Sequence, residues 1–473
     1  MDADNRVRSY LKKFFEHIKN EKLKYNLLQA LPFWVASLIT GIIAVLYTKL
    51  FAGAEGVTAW FIHNHKWWLL LAAPVLYLAA YFLVKLFAPY ARGSGIPQVI
   101  AAIDLANPRD NHKVPKLLSL KVMVVKIASS LLLAMGGGAI GREGPTIQVA
   151  GSVFRKINQW IPESWPKISR RNMIMTGAAA GLAAAFNTPL GGIVFAVEEL
   201  TKTHISYYRT AIFSAVIIAG LTAQYFLGSY LYLPNPDVTN LSSYIFLGVA
   251  FVAIVTGILG SLMCKFILLI FHWKRKFSNT QNVLFVVVCS LVMTGTALAV
   301  SEVALGSGKE LMVLGSGKEL MNTVLFTGNK RVEWYIPLLR FTGPLFSFTT
   351  GAAGGVFAPA LSAGAGFGAM ISGWFQLSDT NTNLLVLAGM VGFLTGVTRT
   401  PFTSAILVLE MTDRHNVIFH LMLAGMIASV FSVLVDKHSF YDHLKMQYIK
   451  SLEEEDIAER AKLPPPPAEP SLT

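Results

Sequence analysis

Ten long apolar runs, separated by short polar connections, most constrain what this chain can fold into. Hydrophobic residues make up 53% of the 473 positions, and charged residues make up only 14%. Soluble domains are rarely so apolar over such a length, so the runs predict membrane-spanning helices. Several runs are too long for one span or are broken by glycine and proline, so ten is a lower bound on the number of helices. The runs cover residues 31–51, 67–88, 117–141, 172–200, 209–233, 242–272, 283–305, 334–372, 384–411 and 417–435.

The basic residues are distributed as membrane topology requires. The formal net charge is +13, and the lysines and arginines concentrate near the N-terminus and in the connections between apolar runs. Residues 1–28 are interpreted as a basic amphipathic helix on the cytoplasmic membrane surface. This distribution does not favour nucleic-acid binding, and no signal peptide is predicted ahead of the first span. We expect a multi-pass protein of the bacterial cytoplasmic (inner) membrane with both termini cytoplasmic.

A charged dipeptide inside a glycine-rich apolar segment is the first candidate functional feature. Residues 134–153 read AMGGGAIGREGPTIQVAGSV and contain Arg142 and Glu143. A carboxylate is unfavourable in a membrane unless it serves an ion or a proton, although a salt bridge to a distant cation is the structural alternative. Glycines let backbone N–H groups approach a ligand, and Pro145 suits the first turn of a helix. The motif predicts a helix N-terminus that binds an anion.

Two further segments place polar groups in apolar surroundings. The sequence GSGIP, residues 93–97, precedes a helical pattern and supplies the Ser94 hydroxyl. This motif is either a second anion-binding helix start or a plain N-cap. The apolar run before residue 200 ends in Glu198 and Glu199. Adjacent side chains on a helix point about 100° apart, so the two carboxylates are expected to have different roles.

The second half of the chain repeats the first. One constant offset in numbering aligns Thr188-Pro189 with Thr400-Pro401 and Glu198 with Glu410. A nearly identical offset aligns GREGP with GVFAP, and therefore sets Phe357 opposite Glu143. Two segments that repeat at nearly one offset indicate an internal duplication. In membrane transporters such repeats commonly meet around a site formed by broken helices.

The duplication predicts the domain organisation. The first transmembrane repeat is expected over residues 29–233 and the second over 234–436, followed by a cytoplasmic segment and tail at 437–473. Residues 305–322 contain LGSGKELMV followed by LGSGKELMN. We interpret this tandem copy as a slippage duplication in a loop between helices. It lacks the spacing of a phosphate-binding loop, so no nucleotide site is expected there.

Two cations inside apolar runs occupy matching positions. Lys126 precedes Glu143 by the same separation in the chain as Arg340 precedes Phe357. Each side chain alone could extend to the membrane interface. Their matching positions favour a buried pair that makes the site electropositive.

Four motifs in this order are similar to those of the CLC chloride channels and proton/chloride exchangers, especially the bacterial exchangers. They are GSGIP, GREGP, GGVFAP and a tyrosine after the last span, and the similarity covers roughly residues 30–445. It implies an all-α polytopic membrane protein with two inverted-topology repeats and about eighteen helices of uneven length, several of them discontinuous. It also implies a homodimer in which each subunit has its own anion pathway. No cofactor and no nucleotide-binding domain are expected.

The resemblance implies a chloride site. Ser94 and Tyr441 are similar to the side chains that hold a central chloride, and the N–H groups of Val356 and Phe357 would complete that site. Nitrate-selective members have proline in place of this serine, so chloride is the expected ion. The other residues expected to bind chloride or to support its site are Gly95, Ile96, Gly141, Arg142, Gly144, Lys126 and Arg340.

The resemblance also implies a proton route. Glu143 is similar to the external gating glutamate, Glu199 to the internal proton glutamate of the exchangers, and Glu198 would border the water route to Glu199. Channel members usually have an apolar residue at this internal position. The expected function is therefore proton-coupled chloride antiport in a lipid bilayer, with a passive voltage- or pH-gated chloride channel as the alternative.

Two rivals come from other classes. A membrane enzyme could use Glu143 and Glu199 as acid and base, and a cation-coupled transporter could use the same carboxylates. The sequence shows neither a metal-ligand cluster nor an activated nucleophile, so neither enzyme activity nor a bound metal is expected. Cys264 and Cys289 lie in apolar runs without metal-ligand spacing and are predicted to be core or lipid-facing thiols.

Overall fold

The fold is built from helices of very uneven length. The computed structural model describes residues 20–162, 165–201, 209–228, 231–303, 309–328, 330 and 332–461. Within those ranges there are nineteen α-helices, two isolated backbone bridges and no strand. The helices run from four to 45 residues. The all-α fold predicted from the sequence is confirmed.

The first half of the chain alternates long helices with short segments. Short helices begin at the glycine and proline motifs that interrupt the apolar runs, because proline suits the first helical turn and glycine the turn before it. The helices are α1 (Glu21–His65), α2 (Leu69–Phe87), α3 (Ile96–Asp104), α4 (Val114–Leu117), α5 (Leu120–Met135), α6 (Glu143–Trp160), α7 (Arg170–Phe186), α8 (Pro189–Phe195) and α9 (Arg209–Leu227).

The second half begins its helices at equivalent positions. α15 begins at Phe357 as α6 begins at Glu143, and α17 begins at Pro401 as α8 begins at Pro189. The helices are α10 (Ile245–Lys274), α11 (Asn279–Val303), α12 (Glu310–Val313), α13 (Lys318–Phe326), α14 (Tyr335–Phe348), α15 (Phe357–Trp374), α16 (Asp379–Thr398), α17 (Pro401–Thr412), α18 (Ile418–Val433) and α19 (Phe440–Arg460).

The predicted segment boundaries fall between helices, except at the N-terminus. The amphipathic helix predicted over residues 1–28 lies largely outside the described residues, and residues 21–28 belong to α1. The boundary at 233 lies between α9 and α10, and the boundary at 436 lies between α18 and α19. The LGSG residues of the first copy, 305–308, and the end of the tail also lie outside the described residues.

The outer surface is apolar, as a membrane requires. Seven helical segments in the described part of the chain are long and apolar enough to cross a bilayer. Large apolar side chains point away from the protein on these segments: Leu71 is 75% exposed, Leu247 is 71% exposed and Phe419 is 77% exposed. Because water would not favour such side chains, these faces are suited to contact lipid.

The same helix pair packs in each half. α6 lies against α7, and α15 lies against α16. Gly364 and Gly389 show how close the second pair is, since a β-carbon on either glycine would overlap the carbonyl oxygen of the other. Small residues allow this approach of backbones in membrane proteins.

Two equivalent glycines mark the axis between the repeats. The Gly141 N–H donates to the Gly355 carbonyl at 2.8 Å, and the Gly355 N–H donates to the Gly141 carbonyl at 2.7 Å. These two residues are aligned by the same offset that aligns GREGP with GVFAP. A reciprocal pair between equivalent positions lies on a local two-fold axis, so the two repeats face each other with inverted topology.

The two ends of the described chain lie on one face. α1 and α2 are joined only by residues 66–68, so the start of α1 and the end of α2 lie on the same side. Tyr90, just after α2, donates to Glu455 of α19 at 2.8 Å. We call the side that carries residue 21 and α19 the terminal face, and the other side the opposite face.

Candidate functional site

The three glycine motifs predicted to bind an anion converge through their backbones. The Gly93 N–H donates to the Ala352 carbonyl at 2.9 Å, and the Gly354 N–H donates to the Gly93 carbonyl at 3.0 Å. The Gly141–Gly355 pair joins GREGP to GGVFAP. GSGIP, GREGP and GGVFAP therefore form one backbone cluster.

Each motif begins a helix inside the protein. α3 starts at Ile96, α6 at Glu143 and α15 at Phe357, and these residues are at most 1% exposed. The first N–H groups of a helix have no partner within that helix, and its N-terminus carries a partial positive charge of about half a unit. Three such ends meeting away from water form a site that stabilises negative charge.

The Glu143 carboxylate lies within this cluster. The backbone N–H groups of Glu143 itself and of Ala358 are directed at it. Its Oε2 atom is buried and accepts no hydrogen bond from the described residues. A β-carbon on Gly141 would overlap this atom, so the carboxylate is folded back against the turn. The structure thus places an anionic group against the start of α15.

Ser94 and Tyr441 meet beside the same turn. Both residues are fully buried, and their hydroxyl groups face each other. Within the described part of the chain, neither the Ser94 Oγ nor the Tyr441 Oη atom has a hydrogen-bond partner. The Phe357 ring centroid lies 6.3 Å from that of Tyr441, and a β-carbon on Gly144 would overlap Ser94 Oγ. Two buried hydroxyls without a partner among the described residues fit a site that binds a polar ligand.

The predicted cation pair is buried rather than interfacial. Lys126 Nζ donates to the carbonyls of Ala91 and Gly93 at 2.8 and 2.7 Å. Arg340 Nη1 donates to the carbonyls of residues 313–315 at 3.0–3.1 Å. Both cations are 0% exposed. Each cation therefore holds a turn by its carbonyl groups.

Arg142 diverges from the adjacent acid. Its Nη2 atom donates to the Ala185 carbonyl at 3.4 Å, and no salt bridge joins it to Glu143 among the described residues. The guanidinium is 7% exposed and its charge still acts on the carboxylate. The salt-bridge alternative for Glu143 has no support from this neighbour.

The two adjacent glutamates have different surroundings, as their spacing on a helix predicted. They lie on a π-helical segment, Ala196–Thr201. Glu198 accepts hydrogen bonds from the backbone N–H groups of Phe402 and Thr403, at 3.2 and 2.7 Å. Glu199 is only 5% exposed, and its charge reaches Tyr441. Glu198 thus caps a helix, whereas Glu199 is buried close enough for its charge to act on Tyr441.

Sequence reasoning missed three participants. The Ala358 amide was not predicted, because every residue except proline has a backbone N–H and the sequence does not show which of them binds a ligand. Ser362 accepts from Arg340 at 2.9 and 2.7 Å, and nothing in its local sequence indicates this contact. The turn held by Arg340 was signalled, since its GSG letters repeat those of GSGIP. No cluster of three or more metal-ligating side chains occurs in the described ranges.

Comparisons with known proteins match most of this chain. The family model described as voltage gated chloride channel matches residues 76–433. An H(+)/Cl(-) exchange transporter ClcA of Vibrio cholerae is 30% identical over 410 residues, which are 82% of this chain and 81% of that protein. The protein of the same name from Citrobacter koseri is 27% identical over 451 residues, which are 90% of this chain and 89% of that protein.

Solved structures share the fold. A slow cyanobacterial Cl-/H+ antiporter superposes with a TM-score of 0.76 at 21% identity, covering 91% of this chain and 99% of that one. A CLC-type fluoride/proton antiporter gives a TM-score of 0.71 at 20% identity, covering 89% of this chain and 98% of that one.

Proposed function

Because the chain belongs to the voltage-gated chloride channel family, we propose that it exchanges chloride for protons across a membrane. The relatives that it resembles over more than four fifths of their length are named H(+)/Cl(-) exchange transporters. Exchange is favoured over a passive channel because acids stand at both expected proton positions, Glu143 and Glu199. The relatives are transporters, which supports ion exchange over an enzyme reaction.

One observation carries the proposal: the Glu143 carboxylate lies against the helix N-termini where an anion would bind. A deprotonated carboxylate and a chloride ion compete for such a position, because both are stabilised by the same N–H groups. Protonation removes the charge of Glu143, so its side chain no longer competes with chloride for these N–H groups. Chloride entry is then linked to proton loading at one residue.

The chloride path passes Ser94 and Tyr441. Their unpartnered hydroxyls and the N–H groups of Val356 and Phe357 hold the ion, with Gly95 and Ile96 at the start of α3. Lys126 and Arg340 supply positive charge without direct contact, since both are bound to carbonyl groups. The charge of Arg142 supports the chloride site. So does the close approach of neighbouring groups to the backbone at Gly141 and Gly144.

Protons reach Glu143 from the terminal face through Glu199. The charges of Glu143 and Glu199 both reach Tyr441, so all three groups lie in one region. Glu198 borders this route from its cap on α17. The chloride and proton paths share Glu143 and separate between Glu143 and the terminal face. The two ions can therefore move in opposite directions.

The proposal of chloride/proton exchange includes an orientation in the membrane and an oligomeric state. The terminal face is cytoplasmic in the inner membrane of a bacterium, with both termini on that side. The protein is a homodimer, and each subunit carries a complete pathway made from its own two repeats.

Radiolabelled chloride uptake tests the proposal. Liposomes with the purified protein are made acidic inside, and potassium with valinomycin sets the membrane potential at the chloride equilibrium value. Exchange predicts that protons leaving the lumen drive net chloride uptake, although chloride itself has no electrochemical driving force at this potential. A passive channel gives no net uptake at this potential. Uptake that required sodium would instead support the cation-coupled rival.

A further inference from the structure

The second LGSG copy forms a turn equivalent to the expected chloride turn. Residues 93–95 and 315–317 both read GSG. The φ angles of their first glycines are 66° and 60°, and those of their second glycines are 107° and 86°. Backbones with these positive values are open mainly to glycine, so the match reflects a shared turn conformation.

A buried cation holds each turn in the same way. Lys126 binds the carbonyls of residues 91–93, and Arg340 binds those of residues 313–315. In each case the three carbonyls end at the first glycine of the GSG sequence. Gly317 lies directly against Arg340, since a β-carbon there would overlap its Nη2 atom. The second turn is therefore the inverted-repeat counterpart of the first, with a fixed positive charge behind it.

The two turns differ in what their serine faces. Ser94 faces Tyr441 in a buried space. The Ser316 N–H instead donates to the Glu55 carboxylate, with 2.7 Å between N and Oε1. Ser316 is 6% exposed, whereas Glu55 is half-buried and reaches the turn from α1. The Ser316 amide of the second turn therefore already donates a hydrogen bond to an anionic oxygen.

Glu55 lies on the side of the site that faces away from α19. It stands in the last quarter of α1, roughly 50 Å along the helix from the terminal face at about 1.5 Å of rise per residue. Its charge acts on both Glu143 and Arg340. Glu55 and its turn are therefore close to the anion cluster and near the opposite face.

We propose that the turn at residues 315–317 is a second anion-binding position, open to the opposite face, at which the Glu55 carboxylate and a halide ion compete. The Ser316 N–H binds whichever anion is present, and the Arg340 charge stabilises both. Glu55 is able to leave because its side chain is only half-buried. The position would receive chloride before the ion reaches Glu143.

The alternative is that Glu55 only ties α1 to the turn. That reading treats the carboxylate as a permanent partner of the amide and predicts no halide there under any condition. Bromide distinguishes the two readings, because it replaces chloride and is located directly by its anomalous scattering. Binding is read without any flux, so failure of this inference and failure of the exchange proposal are separate results.

Crystals of three forms soaked in bromide provide the test. In Glu55→Ala the vacated Ser316 N–H is expected to hold a bromide, and in the unchanged protein its occupancy is expected to be at least about fivefold lower. Glu319→Ala is the matched control, because this exposed acid closely follows Ser316 in the chain and does not contact the turn amide. It should resemble the unchanged protein.

Calorimetric chloride titration provides a second measurement with Glu55→Gln, which keeps the side-chain shape. One additional chloride per subunit is expected in either Glu55 variant. The proposal is overturned if both variants fold, bind bromide at Ser94 and leave Ser316 empty. Equal occupancy at Ser316 in the unchanged protein would also overturn it, because Glu55 would then not be a competitor.

Discussion

Glu198 and Glu410 each cap a helix in the repeat to which the other belongs. Glu198 accepts from the N–H groups of Phe402 and Thr403 at the start of α17. Glu410 accepts from the N–H groups of Leu190 and Gly191 at the start of α8, at 3.0 and 2.7 Å. The two glutamates occupy equivalent positions in the two repeats. This exchange of caps joins the halves through charge-assisted hydrogen bonds.

Removing one cap should weaken the junction between the repeats. Glu410→Ala deletes two hydrogen bonds to a helix N-terminus, so we expect a loss of about 1–2 kcal/mol. Thermal unfolding in detergent should show a midpoint lower by roughly 2 °C. Glu454→Ala, an exposed acid on α19, is the control and should leave the midpoint unchanged. An unchanged midpoint in Glu410→Ala would mean that the caps do not contribute to stability.

Space beside Ser94 should be required for chloride binding. A β-carbon introduced by Gly144→Ala would overlap Ser94 Oγ, so the hydroxyl has to move away from its position facing Tyr441. Calorimetric titration is expected to show at least a tenfold weaker chloride affinity. Gly373→Ala is the matched control, because its β-carbon would have no neighbour within 4 Å. Normal affinity in Gly144→Ala would remove Ser94 from the chloride site.

The charge of Glu143 should be needed for coupling but not for chloride movement. Glu143→Gln keeps the side-chain size and removes the carboxylate that competes with chloride. Liposome assays are expected to show continued chloride flux that no longer depends on pH, with proton movement at least tenfold lower. Glu319→Gln, an exposed acid on α13, should leave both fluxes unchanged. Normal coupled transport in Glu143→Gln would contradict the gating role.

The contact of α19 with the terminal face should weaken in acid. Asp456 of α19 lies here with its Oδ1 atom 3.1 Å from His112 Nε2. Burial acts to raise the pKa of the Asp456 carboxyl, but the His112 hydrogen bond and the charges of Arg460 and Lys113 outweigh it and lower that pKa. Lys113 also lies 3.7 Å from Asp456 of α19. Because the pKa of Asp456 is lowered on folding, its stabilising contribution is present above the ordinary value of ~4 and is lost as pH falls through the lowered value.

Pepsin digestion measures this contact, with rates normalised to an unfolded substrate at each pH. Cleavage within α19 is expected to accelerate as the pH falls below about 4. Lys113→Met removes one of the cations beside Asp456, so it should accelerate trypsin cleavage of α19 already at pH 7. Equal α19 cleavage in Lys113→Met and the unchanged protein would show that these ion pairs do not hold the helix.

Much of the fold was predictable because the bilayer limits the choices. Long apolar runs specify helices, and the glycine and proline motifs predicted where α3, α6 and α15 begin. The offset that aligns GREGP with GVFAP correctly paired Gly141 with Gly355, which touch across the axis.

Other features could not be predicted from the sequence because they depend on contacts between distant segments. The counterpart of GSGIP lies at a larger offset than the other repeated motifs, since the second repeat has a shorter segment between its GSG turn and its buried cation. A fixed offset therefore misses it. The exchanged caps of Glu198 and Glu410 were also not predicted, because the sequence around a glutamate does not show which helix its carboxylate caps.

Proton movement driven only by a chloride gradient tests the central claim most directly. Liposomes loaded with high chloride are diluted into low chloride at equal pH, with potassium and valinomycin holding the membrane potential at zero. We expect protons to enter as chloride leaves, and we expect Glu199→Gln to retain chloride efflux while proton entry disappears. Chloride efflux without proton entry in the unchanged protein would contradict exchange and make it a passive chloride channel.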